Sequence, residues 1–103
     1  MALMEISIVP IGTGKTSVSE YIVDAVKVLE ENGIKYHVSP MGTVAEGDIS
    51  VLFDAARKMH ESIFFASDVA RVVTTIRIDD RRDKEHTIER KIKSLKEKVK
   101  YKK

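Results

Sequence analysis

Glu5-Ile6-Ser7-Ile8-Val9-Pro10-Ile11-Gly12-Thr13-Gly14-Lys15-Thr16-Ser17-Val18-Ser19 reads as a strand running into a turn that opens a helix. Met4, Ile6 and Ile8 alternate with Glu5, Ser7 and Val9, the period-2 pattern of a strand with two unlike faces. Pro10 has no N–H to give a ladder, so regular pairing is expected to end near it. Gly12 and Gly14 suit the turn. Ser17-x-x-Glu20 is a capping-box pattern ahead of an apolar helical run. Thr13, Thr16 and Ser17 set hydroxyls beside the open amides of the helix start, a place for a polar or anionic ligand group.

The same stretch resembles a phosphate-binding P-loop, but that motif needs a glycine five residues before Gly14, where this chain has Val9. Without the leading glycine the backbone cradle is incomplete, and a tight strand-to-helix turn is the better reading.

Outward from this stretch, Tyr21, Ile22, Ala25, Val26, Val28 and Leu29 predict a helix over 18–32, with Gly33 just past its end. Ile34 to Ser39 alternates as a second strand. Pro40-Met41-Gly42 is turn chemistry, and Thr43 to Glu46 completes a hairpin. Asp48 is placed to cap a helix whose apolar spacing runs Ile49, Leu52, Phe53, Ala56, Met59, Ile63. Val72, Thr74, Ile76 and Ile78 mark the inner side of a fourth strand. Asp79-Asp80-Arg81-Arg82-Asp83 is a charged loop, with Asp83 placed to cap a last helix striped by Ile88, Ile92, Leu95 and Val99.

The order β-α-β-β-α-β plus a C-terminal helix is the split βαβ, or ferredoxin-like, α+β arrangement. It puts two helices on one face of a four-stranded antiparallel sheet, with the first strand central. The 103 residues form a single domain, frayed only in the lysine-rich tail 100–103. The second sheet face is left bare. It carries Glu5, Ser7 and Val9, then Lys35, His37 and Ser39, then Val73, Thr75 and Arg77. That mixture suits packing against another subunit, and a homodimer or dimer of dimers is expected. Arg77 should pair with Glu5 or a ligand.

With 43% hydrophobic and 33% charged residues the chain is expected to fold in water rather than stay disordered. It has no cysteine, which excludes disulfides, zinc-thiolate sites and thiol catalysis. The charge is uneven: residues 90–103 hold eight basic side chains against Glu97, leaving ten basic against 15 acidic over 1–89. A basic tail can bind phosphate, but a solvated helix end is the commoner explanation. No secretory signal or long apolar run is visible, so a cytoplasmic location without membrane contact is expected.

Three patches stand out together: Val9 to Thr13 with Ser17 to Tyr21, Ser39 to Thr43 with Glu46-Gly47, and Ile76 to Asp83. In this order and spacing they resemble the small thiamine-binding-protein family, long catalogued as an uncharacterised protein family. The resemblance covers about residues 2–99 and implies a ferredoxin-like fold, homodimers or tetramers, and binding of thiamine or a related pyrimidine without a known reaction. An aminopyrimidine needs a few donors and acceptors and an apolar floor, and a thiazolium favours a nearby carboxylate. Candidate ligand-binding residues are Glu5, Ser7, Thr13, Ser17, Ser19, Ser39, Met41, Gly42, Thr43, Thr75, Arg77 and Asp79. No cofactor, catalytic residue or metal ligand is expected; His37, His60 and His86 lack metal spacing. The alternative is a regulatory or nucleic-acid-binding module of the same fold. It is disfavoured because RNA-binding versions stack bases on aromatic side chains that strands one and three lack here.

Overall fold

The computed structural model describes residues 1–14 and 19–101. Lys15 to Val18, and with them the capping box at Ser17, lie outside the described residues. The elements are β1 (Ala2–Ile11), α1 (Ser19–Glu31), β2 (Lys35–Ser39), β3 (Gly42–Gly47), α2 (Ile49–Ala66), β4 (Arg71–Asp80) and α3 (Ile88–Tyr101). The four strands form one sheet in the order β2-β3-β1-β4, every neighbouring pair antiparallel. This is the ferredoxin-like arrangement, with β1 central.

Alternation in β1 sets the layers. Met4, Ile6 and Ile8 are buried beneath the helices, joined there by Ala45 of β3. α1 brings Ala25 and Leu29 onto this side, and α2 brings Leu52, Ala55, Ala56, Met59 and Ile63 at helical spacing. α1 stops at Gly33, whose φ of +64° is the left-handed conformation. The Ile34 N–H donates to the Leu29 carbonyl (3.0 Å) and the Gly33 N–H to the Glu30 carbonyl (3.1 Å), a Schellman closure that buries Ile34 near Leu29.

β1 ends at Ile11, one residue past Pro10 and so near it as expected, with Pro10 itself still opposite Val72. The β3 partner of β1 has ended by then, at Ile6 opposite Thr43, so the missing donor falls where β1 has a single neighbour. Asp48 occupies the N-cap position just before α2, but its side chain makes no capping bond. Asp83 does not cap α3, which begins five residues later. Thr87 does, its Oγ1 accepting from the Arg90 N–H at 3.1 Å.

α3 is held by its first turn. Ile88 and His86 are buried, while Ile92, Leu95 and Val99 are exposed. Lys35 pairs with Glu89 at 2.5 Å, and Asp79 takes both Lys91 and His86 at 3.0 Å. The helix therefore covers one end of the otherwise bare sheet face, over Leu3 and Glu46, and leaves the remainder open.

Candidate functional site

The open face is built from residues that directly oppose one another across the strands. Glu5 faces Arg77, Ser7 faces Thr75 and Val9 faces Val73 between β1 and β4. On the other side Glu5 faces Val44, which faces His37. Directly paired residues share a sheet face, so these side chains form a single surface. Arg77 donates to one oxygen of Glu5, from Nε at 3.0 Å and Nη2 at 2.9 Å, leaving Glu5 Oε2 without a partner among the described residues. A carboxylate oxygen, two hydroxyls and a guanidinium thus stand among Val9, Val44 and Val73.

Gly42 and Ser39 close the hairpin beside this cluster. Ser39 Oγ donates to the Gly42 carbonyl at 2.8 Å. A Cβ built on Gly42 would lie 3.1 Å from the Ile6 carbonyl oxygen and 3.5 Å from Glu5 Cγ, so β3 begins flush against β1 with no side chain in between. Met41, 85% exposed, stands at the hairpin tip. Thr13 and Ser19 follow the same end of β1, Thr13 half-buried in the turn and Ser19 exposed in the first turn of α1.

Two candidates fall elsewhere. Thr43 is buried on the helix side, because it opposes Ile6 and Val38 and so shares the face of Ile6. Asp79 lies on the open face but four residues from Thr75, about 13 Å away at strand rise, where Lys91 and then His86 hold its carboxyl below the ordinary range. It belongs to a separate cleft of about 1030 Å³ between α3 and the end of β4 with the loop that follows it, lined by paired charges; Asp79 and Asp80, expected in a loop, are the last residues of β4. There Arg82 pairs with Asp80 and Arg81 with Asp83, and Arg81 pulls the Asp83 carboxyl down to about 2. The charged loop is thus laced by ion pairs. Sequence reading missed Glu46, a buried carboxylate on the open face with Lys35 3.8 Å away, and the burial of His86. The alternation of β3 could have placed Glu46 there; nothing local announces that α3 covers it.

A single chain therefore offers a floor without a roof. Its chemistry suits a flat, polar-edged molecule held by hydrogen bonds and one carboxylate. Among the described residues of this open face no hydroxyl stands beside an oriented base.

A family model described as thiamine-binding protein matches residues 4–96. The chain belongs to that family. It is 48% identical over 99 residues to the UPF0045 protein YqgV of Bacillus subtilis (strain 168), covering 92% of this chain and 94% of the relative. It is 43% identical over 91 residues to the UPF0045 protein MJ1052 of Methanocaldococcus jannaschii, covering 88% of each. The crystal structure of MJ1052 superposes with a TM-score of 0.85 at 42% identity, over 93% of this chain and 96% of that one. A Bacillus cereus domain of unknown function, DUF77, gives 0.77 at 30% identity, over 88% and 86%. By its description the family is one of binding proteins, and among the described residues no helix is long and apolar enough to cross a membrane.

Proposed function

We propose that the protein binds thiamine or a related aminopyrimidine such as hydroxymethylpyrimidine on the open sheet face, and that a second copy supplies the opposite wall. The observation that carries this reading is the Glu5–Arg77 pair beside Ser7 and Thr75 on a floor of valines, in a chain of the thiamine-binding family. The free oxygen of Glu5 would accept from an exocyclic amine or sit near a thiazolium. Ser7, Thr75 and the hairpin Ser39 would meet the ring nitrogens, and Gly42 would leave room for the ring edge. Thr13, Ser19 and Met41 lie at or beyond the rim of this surface and would act on the substituents of the ligand; Ser17 lies outside the described residues. The role is capture of a small molecule rather than turnover.

Isothermal titration tests it. Heat with thiamine, hydroxymethylpyrimidine or one of their phosphates, weakened in Glu5→Gln and Arg77→Ala, is the expected result. Absence of heat with all of them overturns the reading.

A further inference from the structure

We propose that the corner where the first turn of α3 meets the start of β2 and the end of β3 is a second binding site, which takes a short aliphatic diamine at Glu46 and Asp48. Glu46 opposes Leu3, four residues along β1 from Ser7 and so about 13 Å from it at strand rise. The site is separate from the open-face cluster and does not rest on the ligand reading.

A cavity of about 600 Å³ opens at this corner, walled by the end of α1, the start of β2, the end of β3 and the first turns of α2 and α3. Glu46, Asp48, Glu85 and Glu89 line it against Lys35 and Arg90, so carboxylates outnumber basic side chains by two. Both basic groups are already engaged. Lys35 Nζ lies 2.5 Å from Glu89, and Arg90 Nη1 lies 3.7 Å from Glu85. The surplus negative charge therefore falls on Glu46 and Asp48.

Glu46 decides what the cavity receives. Its side chain is 5% exposed, and its buried Oε1 accepts no hydrogen bond among the described residues. Lys35 stands 3.8 Å away, beyond hydrogen-bond reach, because Glu89 draws its ammonium aside. A carboxylate taken out of water with an oxygen unpaired is destabilising, and one set beside an open cavity marks the place of a cation from solution. Lys35 is 56% exposed, so it is free to stay with Glu89 as an incoming ammonium takes the place beside Oε1. Asp48 supplies the second charge. It stands two residues on, about 7 Å at strand rise, and its exposed carboxylate makes neither a helix cap nor an ion pair among the described residues. Ile34 and Val51 add an apolar wall, which a methylene chain covers and a bare ion does not. Among the described residues no three carboxylates or imidazoles stand close enough to hold a metal ion. Two ammonium groups on a short alkyl chain match both carboxylates and the wall beside them.

Amide chemical-shift titration with putrescine reads the site. Shifts should gather at residues 33–35, 46–51 and 85–90 and leave 5–7 and 73–77 unmoved. Glu46→Gln keeps the shape and removes the charge, and should weaken binding about tenfold or more. Asp48→Asn, at an exposed position, should weaken it by less. Butylamine, with a single ammonium, should bind more weakly than putrescine. The proposal is overturned by a folded protein that shows no shifts at millimolar putrescine, or by an affinity unchanged in Glu46→Gln. Butylamine binding as tightly as putrescine, or shifts scattered over acidic residues along the whole chain, would overturn it too. Thiamine takes no part in the titration, so its outcome is separate from that of the ligand reading.

Discussion

Replacing three glycines by alanine should give three different outcomes, each readable from what the new methyl meets. At Gly42 a Cβ would stand 3.1 Å from the carbonyl oxygen of Ile6. That oxygen is backbone in the central strand, between buried side chains, and has little freedom to retreat. Overpacking of this kind costs about 1–3 kcal/mol. The gain from restricting the unfolded chain is only about 0.4–1 kcal/mol. The net expectation is a loss of about 1 kcal/mol, a drop in Tm of about 4–8 °C for a domain of this size. At Gly33 nothing lies within 4 Å, but φ is +64°, so alanine there should lose about 1–2 kcal/mol through backbone strain alone. At Gly47 the nearest atom is Leu52 Cδ2 at 3.8 Å, an ordinary contact, so alanine should be neutral or stabilising by up to about 1 kcal/mol. Urea denaturation followed by circular dichroism measures all three. Gly42→Ala matching Gly47→Ala in stability would refute the close approach of β3 to β1.

Leu29, fully buried and one end of the Schellman closure, should cost about 2–5 kcal/mol as Leu29→Ala, read from the denaturation midpoint. Glu46 has a buried oxygen without a hydrogen-bond partner, and Lys35, held charged above its ordinary range chiefly by Glu89, serves it only at 3.8 Å. Glu46→Met should therefore stabilise by about 1–2 kcal/mol in the same assay, and a loss would show that the carboxylate is better paired than its surroundings indicate. Asp83 should titrate at about 2 by carboxyl NMR and return towards the ordinary range, near 4, in Arg81→Ala. Asp79 and Glu89 are shifted down by Lys91 and Lys35, so their hold on α3 is complete above the ordinary carboxylate range and is lost as pH falls through the lowered values. Hydrogen exchange across α3 should accelerate below pH 4 while the strands stay protected.

The order of elements was legible because its signals are local and repeated: alternation in β1 and β4, helical spacing in α2, a glycine past α1. The Glu5–Arg77 pair was legible for the same reason, since alternation fixes which side chains share a face. What escaped depends on contacts distant in the chain. Pro10 proved tolerable only because β3 ends before it reaches that level. Thr43 read as a ligand residue from its place beside a turn, but the register that pairs it with Ile6 turns it inward. Asp79 shares a motif with Arg77 yet stands two alternations further along the strand, under the first turn of α3. The stripe of α3 was visible, and that only its start would dock was not, because Leu3, Glu46 and His86 are buried by parts of the chain distant in sequence.

The proposed ligand site is the open face. Amide chemical-shift mapping with thiamine tests this most directly. It predicts the largest shifts at residues 5–7, 37–44 and 73–77, with little change around Asp79 and α3. Shifts concentrated in residues 79–86 and α3, with the central strands unmoved, would contradict it.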